Sequence, residues 1–369
     1  MAASAQKTLF SQPVGNDTFK LKADMCLWPR FWRMDTKLYR ESLFTRDSLP
    51  VDSTWTLAQS ENTFGQAYGF VGITAQFSKY GYLRYYHDLG AINGKPAYDL
   101  FAALLYEGFE FRFGQLKLPL GYEVNCAPWK VDLIDYTLSA GTRTPTGASR
   151  DIGALLTYSH KYFQAAAALT NGNGRNMAKD NNPQKDIFAR LVALPLGKPT
   201  LTLGANAYWG NDTFAREGND RPFIRYAGEF YWMPGPYFVR GEYLWGKDTM
   251  GAMRPADTLR APTARVVDGF HVTAGYRFGN VQPLVRFERI TWSMNDWIPL
   301  APKGPNDAYA NTTTTIGLGV NGYLFKDMVK PMFNITLSRN ENEKAKLAKA
   351  GTYQTDALKL MLQIQAAFW

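Results

Sequence analysis

The chain has 369 residues, a formal net charge of +9, 46% hydrophobic and 15% aromatic residues, three His and two Cys. No run of about 18 apolar residues occurs, which excludes a transmembrane helix. The basic residues lie singly along extended stretches rather than in a block or helical stripe, which argues against a nucleic-acid partner, and three His leave little material for a metal centre, so no cofactor is expected.

Residues 1–17 read as an N-terminal periplasmic segment in which Ala3-Ser4-Ala5 marks the remnant of a cleavage site, with the mature chain beginning near Gln6. Residues 18–369 show no composition shift and read as one domain. Sixteen stretches suit strands: 18–32, 67–77, 81–88, 98–106, 109–120, 151–160, 162–170, 186–195, 200–209, 223–232, 237–246, 268–278, 281–293, 312–325, 330–338 and 356–369. Their length, near ten residues, is what a tilted strand needs to cross a bilayer. Short turns alternate strictly with long polar loops, the pattern of a barrel with one plain and one elaborated end. Residues 53–59 are strand-like, but an additional strand would make the number odd, so they are read as loop.

The faces are legible in the alternation. In 268–278, Phe270, Val272, Ala274, Tyr276 and Phe278 oppose His271, Thr273, Gly275 and Arg277. In the last stretch, Leu358, Leu360, Leu362, Ile364, Ala366 and Phe368 share one face. Sixteen strands enclose an interior too wide for side chains alone to fill. The polar face is therefore expected to line water and the apolar face to meet lipid. The expectation is all-β: a 16-stranded antiparallel transmembrane β-barrel with short periplasmic turns, long external loops and an inward-folded third loop.

Projected inward, the basic wall residues are Lys20, Lys22, Arg84, Arg112, Lys117, Arg190, Arg225, Arg240, Arg277, Arg286 and Lys359, against Asp24, Glu110, Glu229, Glu242 and Glu288. A water-filled lumen with that excess favours small anions. Same-strand pairs such as Glu110 with Arg112 leave open the alternative of mutual neutralisation. The long connection 121–150 is the expected constriction and adds Lys130, Arg143 and Arg150. Cys26 and Cys126 are either free or bridge the first strand to this loop. No nucleophile, phosphate-loop or metal motif accompanies His87, His160 or His271, so an enzyme is not expected.

One stretch carries a family resemblance. Phe109–Glu123, F-E-F-R-F-G-Q-L-K-L-P-L-G-Y-E, resembles the G-Q-x-K-x-P-x-G-x-E segment of the phosphate-selective porins of the O and P type. R-D-I-G-A-L at Arg150–Leu155 resembles the strand after that family's third loop. The resemblance implies a homotrimeric channel in the bacterial outer membrane, set in lipid and lipopolysaccharide, with Arg112 and Lys117 in the lumen and 121–150 as the constriction. The arginine ladder and lysine cluster that would make phosphate the substrate have no counterpart here, and the in-phase aromatic Phe368 is penultimate rather than final. The expected function is passive diffusion of small hydrophilic solutes with weak anion preference. The alternative is a scaffold barrel whose lumen is plugged or holds a partner.

Overall fold

The computed structural model describes residues 6–14, 17–41, 54–90, 97–127, 130–141, 149–177, 179–180, 182–213, 220–250, 263–295, 308–342 and 351–368. Seventeen strands run in chain order: β1 (Lys7–Val14), β2 (Asp17–Glu41), β3 (Thr54–Ser78), β4 (Gly81–Asp88), β5 (Ala97–Tyr106), β6 (Phe109–Lys117), β7 (Arg150–Ser159), β8 (Phe163–Thr170) and β9 (Asp186–Ala193); then β10 (Leu201–Thr213), β11 (Asp220–Trp232), β12 (Tyr237–Met250), β13 (Thr263–Tyr276), β14 (Val281–Asn295), β15 (Ala308–Gly322), β16 (Val329–Asn342) and β17 (Gly351–Phe368). Among the described residues, two single-turn helices, α1 (Tyr122–Asn125) and α2 (Leu138–Gly141), lie between β6 and β7.

Each strand from β2 to β17 pairs antiparallel with the next, and β17 pairs back onto β2, so sixteen strands close a ring without edges. The seam has an additional part. Along one edge of β2, Met25–Glu41 pair with β17, and Asp17–Ala23 pair with β1. β3 occupies the other edge of β2, from Lys20 to Arg40. β1 therefore continues the line of β17, and residues 7–14 of the expected N-terminal segment are strand.

Two other boundaries differ from expectation. β2 continues to Glu41, and residues 54–59 of the expected loop form the start of β3. Because Thr54–Gln66 pair with the far half of β2, they lengthen an existing strand and leave the ring even-numbered. Pro29, which cannot donate to a ladder, is absorbed by a register shift between Trp28 and Pro29.

The hairpin at Glu107-Gly108 shows why the short turns hold. Both residues have positive φ, 43° and 86°, as a two-residue turn matched to strand twist requires. A Cβ at Gly108 would sit 3.0 Å from the Ser159 carbonyl oxygen.

The outer face is apolar. Leu100, Leu104, Leu191, Leu318, Leu362 and Ile364 are each at least half exposed. An apolar belt on that scale is a liability in water and is what a lipid-facing barrel wall requires. Exposed Tyr80, Tyr106, Phe109, Tyr162, Trp232, Tyr237 and Phe278 gather beside the short turns, as an interfacial girdle does. Tyr82, Trp292 and Tyr323 belong to the inner side instead. Tyr82 donates to Glu110, Tyr323 donates to Gln282 at 2.6 Å, and Trp292 underlies Arg265 at 4.5 Å.

Candidate functional site: the inner face and the segment across it

Alternation places the polar residues of the strands on the inner face, where partners on the same strand, on strands one or two places away or in a turn meet them. Arg84 binds Asp24 at 2.7 and 3.0 Å. Arg112 binds Glu110 at 2.9 and 2.8 Å, and Arg190 binds Glu229 at 2.6 and 2.7 Å. Arg225 pairs with Asp248, and Arg277 with Asp327 at 2.8 Å. Arg150 binds Asp99 at 2.7 Å while lying 3.6 Å over the Tyr98 ring. The predicted excess of positive charge is thus largely cancelled in local pairs, the arrangement buried charge requires. Lys22 differs: its Nζ donates to the Gln76 amide oxygen at 2.9 Å, and half-buried Lys20 lies on the same face.

The segment between β6 and β7 reaches the opposite wall. Asp132 receives both bonds from Arg240 on β12, each 2.7 Å. Asp135 is bound by Arg30 on β2 at 2.8 Å and by Lys359 on β17 at 2.6 Å. Glu123 is bound by Arg286 on β14 at 2.9 Å. Lys330 on β16 donates to the Val131 carbonyl at 2.8 Å, and Asn321 on β15 to that of Asp132 at 2.8 Å. A chain leaving the sheet beside β6 can meet these faces only by crossing the inside of the ring.

Apolar contacts accompany the charged ones. Leu133 packs with Phe238 and Leu284, and Ile134 with Met332 and Met361. On the near wall, Leu118, Leu120 and Val124 join Phe101, Leu116, Leu155, Phe188, Tyr208 and Phe223. Leu116 and Phe188 have no exposure at all. The expectation that the whole polar face lines water is therefore revised: the crossing segment covers much of it. Beside the segment, a cavity of about 10 Å³ is bounded by Tyr122, Arg240, His271 and Arg286, room for one water.

Glu123 and Cys126 of the segment have displaced ionisation. Burial pushes the Glu123 carboxyl up, but the charges of Arg286 and His271 and hydrogen bonds from Thr137 outweigh it and hold the group below its usual range. Burial pushes the Cys126 thiol up.

The inner side thus gathers Arg84, Arg112, Arg150, Arg190, Arg225, Arg240 and Arg286. Lys117 joins the segment through the Cys126 carbonyl at 2.8 Å. Arg277 lies at the plain end, beside Asp327 of the turn after β15. Lys130 is exposed on the segment, and Arg143 lies outside the described residues. The Cys26–Cys126 bridge is not formed; both thiols are free. Cys26 packs among Trp28, Phe70, Tyr86 and Ala367, whereas the Cys126 carbonyl is tied to Lys117. Arg30 and Lys330 are inner-face cations missing from the expected set, although both sit in the polar phase of their strands, Arg30 with Lys22 and Asp24 and Lys330 with Asn334 and Thr336.

No family model matches the chain, and no curated protein matches it. Solved structures do. A loop-deletion mutant of OmpT, an outer membrane protein of Vibrio cholerae, is similar at TM-score 0.61 and 12% identity over 94% of this chain and 99% of its own. The outer membrane channel DcaP of Acinetobacter baumannii gives 0.59 and 10% over 94% and 97%. The anion-selective porin of Comamonas acidovorans gives 0.58 and 12% over 95% and 100%. With its closed ring, apolar belt and polar interior, the chain has the fold of the sixteen-stranded outer-membrane barrels.

Proposed function

We propose that the chain is an outer-membrane porin: a narrow, weakly anion-selective passive channel for small hydrophilic solutes, assembled as a homotrimer in lipid and lipopolysaccharide, and not an enzyme. The observation that carries this reading is the inversion of the ring, with leucines outside and paired charges inside, crossed by one segment. The crossing segment is the constriction. Selectivity is weak because most guanidinium groups already have a carboxylate; the bias comes from cations such as Lys22, held by a neutral partner. The likeness to an anion-selective porin agrees with this sign.

Planar-bilayer recording tests the reading. Stepwise conductance with a reversal potential on the anion side of a KCl gradient is expected; reversal on the cation side overturns the selectivity. A second reading, a scaffold barrel with a filled lumen, is favoured by the burial of Val131, Leu133 and Ile134 against the far wall. Absence of any conductance steps from inserted, folded protein would select it.

A further inference from the structure

The inner faces of β11 to β14 carry a row of titratable groups at one level of the wall. Register sets Glu229 opposite Glu242, Glu242 opposite His271, and His271 opposite Glu288. All four are buried, between 3% and 5% exposed. Glu229 has its guanidinium, Arg190. Glu242 and Glu288 are met differently, by backbone of the crossing segment. The N–H groups of Tyr122 and Glu123 both donate to Glu242 Oε1 at 3.0 Å, joined by the Tyr231 hydroxyl at 3.3 Å. The N–H of Ser139 donates to Glu288 Oε1 at 3.1 Å. Between them, Ser139 Oγ lies 3.1 Å from His271 Nδ1 and 3.0 Å from Thr137 Oγ1. The loop also turns Glu123 toward His271, and β14 adds Arg286, which binds Glu123.

We propose that Glu242, His271 and Glu288 form a proton-operated latch: the ionised Glu242 and Glu288 carboxylates fasten α1 and α2 to the wall, and acid frees these two turns, while Asp132 and Asp135 keep the middle of the segment in place, and widens the passage. This rests on reading the ring as a pore. The direction follows from the partners. An ionised carboxylate accepts N–H bonds about twice as strong as those a neutral acceptor takes, and it offers no competing donor. Protonated Glu242 and Glu288 become weaker acceptors and leave a protonated His271 with no ionised carboxylate opposite it on β12 or β14, while Arg240 and Arg286 keep Asp132 and Glu123. Acid thus removes attraction at the same contacts.

The test places a nitroxide at Leu138→Cys, a site 40% exposed on α2, in the full chain with Cys26→Ser and Cys126→Ser, reconstituted in lipid. Spectral line shape and bilayer conductance are followed from pH 7.5 to 4.5. The expected result is a sharpened spectrum and a several-fold rise in conductance over one shared pH range. Glu242→Gln with Glu288→Gln is expected to show both already at pH 7.5. If that pair does not assemble, His271→Gln is used, which is expected to displace the transition. An unchanged spectrum, a spectrum that broadens in acid, or an identical transition in the variants overturns the latch. If the label is released but no pH gives conductance, the latch stands and the pore reading fails. If conductance is steady and the label fixed, the pore stands and the latch fails.

Discussion

Asp132 and Arg240 meet with both carboxylate oxygens 2.7 Å from one guanidinium nitrogen, one residue on the crossing segment and the other on β12. The pair fastens the segment at the wall opposite its origin. Removing one partner strands the other charge at a part-buried site, at a cost below the about 3–5 kcal/mol of a fully buried pair. Arg240→Gln is expected to raise single-channel conductance and to lower the temperature at which the barrel loses its folded gel mobility. Adding Asp132→Asn should restore much of the stability without restoring the wild-type conductance. Unchanged conductance in Arg240→Gln would place the narrowest point elsewhere.

Charge pairing makes selectivity respond to single changes. Arg190→Gln leaves Glu229 uncompensated on the inner face and is expected to move the KCl reversal potential toward cations. Glu229→Gln should move it toward anions, and the double change should return it close to wild type. Equal shifts in the same direction from both single changes would refute local cancellation.

The outer belt predicts an asymmetry between faces. Leu318→Arg places a charge on the lipid side of β15, where the cost approaches about 2–4 kcal/mol near the bilayer midplane. The expected outcome is poor assembly, read as loss of the folded, heat-modifiable band. Thr336→Arg, on the inner face of the adjacent β16, should assemble normally and alter conductance instead.

The two thiols are separate and buried. In the folded barrel they are expected to resist a bulky water-soluble thiol reagent, and to react as two equivalents after unfolding without reductant. Recovery of fewer than two equivalents would indicate a bridge.

The ring itself was legible because a strand's side chains repeat every two residues, and a lipid-facing strand must fill one phase with apolar groups. The lengthened β2 and β3 were not. Ser60-Glu61-Asn62-Thr63 shows no apolar phase, because the ladder continues there without the alternation that marks lipid contact. The inner cations could be placed by phase, including Arg30 and Lys330, which the alternation supports. Their pairing could not be read, since Arg286 meets Glu123 across 163 positions and Arg240 meets Asp132 across 108. Such meetings depend on register and on where a connecting segment travels, neither of which a single stretch of sequence carries.

The seam at β2 has a kinetic consequence. Met25 is hydrogen-bond neighbour to Phe368, so the first long strand waits for a mate made more than three hundred residues later. Bringing such distant ends together carries an entropy cost that local hairpins do not. Until that encounter, β2 and β17 expose raw edges able to recruit any passing strand, including those of a sister molecule. Escort of the nascent sheet, rather than strength of the finished wall, then decides how much protein matures.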